Sequence, residues 1–109
     1  MAYDEDAARR LRDELGTLPG LTEKKMFGGI GFLLRGNMAC GVIGPDLIVR
    51  VGPERHAVAL AQPGARVFDF SGKPMAGWVT VAPAGYAAAE DLAYWVKLAV
   101  GFAGLLPAK

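Results

Sequence analysis

Cys40 and His56, the single cysteine and single histidine of the chain, are the side chains that most invite a catalytic reading. A thiol or hydroxyl nucleophile needs a base beside it, and a closed zinc site needs about four N, S or O ligands. Neither need is met by one Cys and one His, and Ser71, the only serine, lies outside any nucleophile context. Cys40 sits among Met38, Ala39, Val42 and Ile43, where a thiol behaves as a small hydrophobe, so it is expected buried and unreactive. His56 is expected on a helix surface. Asp46 falls in a turn and Asp69 between Phe68 and Phe70. A working acid and base pair requires a set separation and a raised pKa, so turn and edge roles are expected for both. No catalytic, metal or cofactor residue is therefore assigned, and the chain is not expected to be an enzyme.

The run Met26-Phe27-Gly28-Gly29-Ile30-Gly31 is the other tempting feature, because glycines let backbone amides approach a phosphate. A P-loop would end in Gly-Lys-Ser/Thr, and a dinucleotide fingerprint would open a helix. Here a strand follows, which favours a structural bend over an anion site. Lys24, Lys25, Gly28, Gly29, Arg35 and Arg50 remain as a candidate interaction surface, chosen by charge and by strand position.

The elements that would position these residues follow from pattern. Asp4 can cap a helix with Ala7, Ala8, Leu11, Leu15 and Leu18 on one face, ended by Gly16, Pro19 and Gly20. Lys24 to Phe27, Ile30 to Arg35, Met38 to Ile43 and Leu47 to Val51 are short apolar runs divided by turn residues, and they read as strands. Gly36-Asn37 fits a two-residue hairpin turn and Gly44-Pro45-Asp46 a slightly longer one, so Ile30 to Val51 should form an antiparallel meander. Gly28-Gly29 should bend or bulge the first strand. Pro53 opens a short helix through Ala57, Val58, Leu60 and Ala61, stopped before Pro63-Gly64. Ala65 to Phe70 and Gly77 to Val81 make a second hairpin across Ser71-Gly72-Lys73-Pro74. From about Ala87 a terminal helix places Leu92, Trp95, Val96, Ala99, Phe102, Ala103 and Leu106 at core spacing, and Tyr94 and Trp78 are read as core with them. The expected fold is α+β in two layers: an antiparallel β-sheet of about six strands packed against helices, mainly on one face, in the order αββββαββα.

The 109 residues fit one domain, 1–109. With 52% hydrophobic and 21% charged residues, the chain can bury a core without a staple. A formal charge of +1 supplies no strong field toward nucleic acid or membrane. Charge is uneven, however: residues 24 to 73 carry seven Lys and Arg against three Asp and Glu, and residues 1 to 23 carry three against six. The acidic start is unlike a secretory signal, and the longest apolar runs, such as Met38 to Gly44, are far short of the ~20 residues of a membrane helix. Cytoplasm is the expected compartment.

Lys25-Met26-Phe27-Gly28-Gly29, Gly36-Asn37-Met38, Asp46-Leu47-Ile48-Val49-Arg50-Val51, Pro63-Gly64-Ala65, Phe70-Ser71-Gly72-Lys73-Pro74-Met75 and the Trp95 helix, taken in this order, resemble the N-terminal domain of the TfoX/Sxy family of bacterial competence regulators. The resemblance spans roughly Asp4 to Leu106 and implies an α+β domain of the TfoX-N/YgaC-like type. Full-length regulators of the family carry a C-terminal helical domain in addition, so a stand-alone N-terminal domain is expected here. The resemblance brings no catalytic residues with it. Its implied function is a non-enzymatic regulatory module that binds a protein partner, a second copy being one version, through a sheet face or edge. The alternatives are a small-ligand or anion-binding module at the Gly28 to Gly31 bend, with Lys24 or Arg50 nearby, and a nucleic-acid-associated regulator.

Overall fold

A computed structural model describes residues 3–26, 28–69 and 75–109 of the chain. Helix α1, Glu5–Leu15, starts where the Asp4 carboxylate accepts the N–H groups of Asp6 and Ala7 at 2.9 and 3.1 Å. That satisfies two of the helix's orphan donors. Ala7, Ala8, Leu11 and Leu15 are its buried face.

Four strands follow: β1 Leu21–Met26, β2 Gly29–Leu34, β3 Asn37–Ile43 and β4 Asp46–Arg50. A 3-10 turn, Pro53–Arg55, leads into helix α2, His56–Leu60, and then come β5 Ala65–Val67 and β6 Trp78–Val81. A second 3-10 turn, Pro83–Gly85, precedes helix α3, Ala89–Ala103. The six strands pair antiparallel, in the order β1-β2-β3-β4-β6-β5. The α+β architecture and element order are those expected from the sequence. The Ser71 to Pro74 connection lies outside the described residues.

The register sorts the side chains by face, since directly opposite residues share one. One row runs Lys25, Ile30, Val42, Leu47, Val81, Ala65, and the neighbouring inner row runs Cys40, Val49, Val79, Val67. Most of these residues form one core with Leu11 of α1, Ala59 of α2, and Leu92, Trp95 and Ala99 of α3. All three helices therefore cover the same side of the sheet. The opposite side carries the row Lys24, Gly31, Gly41, Ile48, Thr80, Arg66. Ile48 and Thr80 are buried there without belonging to the helix-covered core.

Several local expectations need correction. The β2–β3 turn is Arg35-Gly36, not Gly36-Asn37: Leu34 pairs with Asn37, and Arg35 and Gly36 have φ of 51° and 84°. Two positive φ values suit the right-handed twist of a hairpin. Arg35 tolerates its value because its N–H donates to the Gly20 carbonyl at 2.8 Å and its guanidinium to the Gly104 carbonyl at 2.7 Å. Asn37 is instead buried, donating from Nδ2 to the Pro107 carbonyl at 2.9 Å. Ile43 pairs with Asp46, so Gly44-Pro45 is a two-residue turn rather than a longer one. Of the two forms expected at Gly28-Gly29, a bend or a bulge, the structure has the bend: Met26 pairs antiparallel with Gly29, so β1 turns into β2 there and no bulge interrupts either strand at that point. The bulge lies at Phe32/Leu33, opposite Ala39. Trp78 is not in the core: Val79 and Val81 take the inward positions of β6, and strand alternation turns Trp78 to the outer face beside Arg50.

Candidate functional site

Cys40 is buried at 1% exposure in the inner row, as expected, and burial pushes its thiol up to about 12. Only the thiolate is nucleophilic. The native chain should therefore resist a bulky disulfide reagent at pH 8 and release one equivalent of thiol only in guanidinium. Fast reaction of the folded chain would show that Cys40 is not sealed.

His56 does not sit openly on a helix surface. It begins α2 half-buried, with Nε2 sequestered and without a hydrogen-bond partner among the described residues. Asp46 accepts a hydrogen bond from Arg66 at 2.6 Å, and Asp69 is exposed. Among the described residues no three His, Cys, Asp or Glu side chains gather as metal ligands.

The candidate interaction residues divide into two groups at opposite ends of the sheet. Arg35 and Arg50 are held against the C-terminal half of α3. Arg35 reaches the Gly104 carbonyl, a favourable place for a cation by the helix dipole. The Arg50 guanidinium lies 5.4 Å from the Trp78 ring centre and 5.3 Å from that of Phe102. Such cation–π contacts occupy the charge internally. Beside them, a groove of about 550 Å³ between Pro53–Arg55 and α3 is lined by Tyr94, Leu98, Phe102 and Leu105, with Lys97 and Arg55 among its walls. Tyr94 and Phe102, expected in the core, are half-buried on this groove instead, because with Leu98 and Leu105 they form a second apolar stripe of α3 beside the buried face of Leu92, Trp95, Val96, Ala99 and Ala103.

Lys24, Lys25, Gly28 and Gly29 gather at the β1–β2 hairpin. Gly29 and Gly31 are strand residues whose backbones face neighbouring strands, and Met26 and Met38 lie over Gly31. These glycines let strands pack; they do not form an amide cradle. Lys24 points to the outer face and Lys25 to the helix side, so the basic residues do not share one face.

What the hairpin does present is an open strand edge. Antiparallel ladders alternate hydrogen-bonded and non-bonded pairs. The Arg35 N–H to Gly20 carbonyl bond and the closing Met26–Gly29 pair fix the phase. Thr22, Lys24 and Met26 therefore bond to β2, while Leu21, Glu23 and Lys25 direct their backbone groups away from the sheet. The Leu21 N–H is taken by the Leu18 carbonyl at 3.2 Å. The Glu23 and Lys25 N–H and C=O groups face outward, and Thr22 through Lys25 are exposed. Glu23 is neutralised from below: Arg12 Nε and Nη2 donate to its two carboxylate oxygens at 2.6 and 2.9 Å. Those bonds hold the Glu23 carboxyl below the usual carboxylate range. The edge thus presents the charges of Lys24 and Lys25.

These features define a two-layer α+β domain whose antiparallel sheet is covered by helices on one side and open at β1. The family model of the TfoX N-terminal domain matches residues 13–103, and the chain belongs to that family. No curated protein and no solved structure shows significant similarity to it. Among the described residues no helix is long and apolar enough to cross a membrane.

Proposed function

We propose that the chain is a non-enzymatic regulatory domain that acts by binding a protein partner, in keeping with its family and with the competence regulators it resembles. The observation that supports this reading is the open edge of β1, where exposed backbone donors and acceptors can receive a further strand. At the opposite margin, β5 has only three residues and its Arg66 is engaged by Asp46. A three-residue edge is the kind of short strand that discourages pairing. Anion binding at the glycines is less well supported, because the backbones of Gly29 and Gly31 are spent in the sheet.

Lys25→Pro tests the reading. The Lys25 N–H points away from β2, so proline removes an outward donor without breaking the inner ladder, and edge strands accept it. The expected result is a natively folded chain by circular dichroism that loses a partner retained by both the native chain and Lys25→Ala. A partner held equally by all three would overturn the reading.

A further inference from the structure

We infer that the β1 edge receives an extended segment bearing two consecutive acidic residues, an inference that rests on the edge being the interaction surface. Lys24 and Lys25 are adjacent in an exposed strand and project to opposite faces of the sheet. A strand added to this edge places its own consecutive side chains on those same two faces. One carboxylate then meets Lys24 on the outer face, and the next meets Lys25 on the helix-covered side. An acidic residue at every second position would reach only one lysine.

The remaining charge on the edge sharpens the choice. Glu23 shares the face of Lys25, but its carboxylate is bound by Nε and Nη2 of Arg12, so an incoming acid meets little opposition from it. A second copy is disfavoured: antiparallel pairing centred on Lys24 or on Lys25 opposes that lysine to its own equivalent, the Glu23–Lys25 pairs that flank Lys24 gain little because Arg12 already binds each Glu23 carboxylate, and pairing centred on Glu23 brings no opposite charges together. Edge lysines are a common device against pairing between copies. The charges that repel a copy attract an acidic strand, and opposite charges directly across an antiparallel pair are stabilising.

The test uses three fluorescent ten-residue peptides of alternating Thr and Val whose central two residues are Glu-Glu, Gln-Gln or Lys-Lys. Binding is read by anisotropy at low salt and by shifts of the Glu23 and Lys25 backbone amides. The Glu-Glu peptide is expected to bind about tenfold tighter than the Gln-Gln peptide. The advantage should shrink as salt is added, and the variant Lys24→Glu/Lys25→Glu should prefer the Lys-Lys peptide instead. Equal affinity for the Glu-Glu and Gln-Gln peptides, both abolished by Lys25→Pro, would overturn the acidic preference and leave the edge reading standing. Glu-Glu binding undiminished by Lys25→Pro would overturn the edge itself. Binding of none of the peptides would overturn the inference.

Discussion

Trp95→Ala is expected to lower unfolding stability by about 3–5 kcal/mol, the range for removing a buried aromatic side chain. Trp95 is 2% exposed and is the bulkiest of the most deeply buried side chains. It stands on α3, which packs against the central strands β3 and β4. Its ring meets Tyr94 edge-on at 5.0 Å, and its Nε1 donates to the Gly85 carbonyl at 3.0 Å. Alanine therefore leaves both a cavity and an unsatisfied buried acceptor, and domains of this size hold only about 5–15 kcal/mol in total. Urea unfolding followed by circular dichroism measures the loss. Trp95→Phe separates the two causes, because it keeps most of the apolar volume and forfeits the N–H, a cost of about 1–3 kcal/mol. A Trp95→Ala chain within 1 kcal/mol of the native one would show that α3 does not seat this ring in the core.

The features legible in the sequence are those carried by short-range pattern. Ala7, Ala8, Leu11 and Leu15, and Leu92, Trp95, Val96, Ala99 and Ala103, recur at helical spacing and are the buried faces of α1 and α3. Alternation in Val49, Val79 and Val81 likewise gives the inner face of the sheet. What the pattern could not supply was decided by distant partners. Asn37 has the chemistry of a turn residue, yet the Pro107 carbonyl draws it into the structure and the turn slips back to Arg35-Gly36. Arg50 reads as a basic strand residue, and only the packed fold brings Phe102 over it.

The candidate site divides in the same way. Lys24 and Lys25 were identifiable as basic residues on a strand. That this strand forms the open margin depends on the sheet order, in which β6 inserts between β4 and β5 and leaves β1 at the far side. Strand alternation already implied that the two lysines face apart. Their usefulness as a pair emerges only when the unpaired backbone between Leu21 and Lys25 is seen to offer a place for another strand.

Gly29→Ala is expected to cost about 3 kcal/mol, and its comparison with Gly31→Ala decides what the glycines of this hairpin are for. A Cβ on Gly29 would lie 2.1 Å from the Val42 carbonyl oxygen and 3.1 Å from the Val42 carbonyl carbon. Those atoms belong to the backbone of β3, the strand paired with β2, and they cannot rotate away as a side chain can. Relief requires β2 and β3 to part locally, which adds lost ladder hydrogen bonds to an overpacking cost of about 1–3 kcal/mol. A Cβ on Gly31 would instead meet the Met26 Sδ and Cε and the Met38 Cε at 3.2 Å. Unbranched thioether side chains re-pack readily, so Gly31→Ala should cost under about 1 kcal/mol. Urea midpoints with and without 50 mM phosphate, about the level needed to reveal weak anion linkage, measure both substitutions. If the glycines serve strand packing, Gly29→Ala loses its stability whether or not phosphate is present, and Gly31→Ala changes little. If their amides hold an anion, phosphate raises the native midpoint and both substitutions abolish that rise. A Gly29→Ala chain as stable as the native one would mean that β2 and β3 do not approach as closely as the hairpin requires.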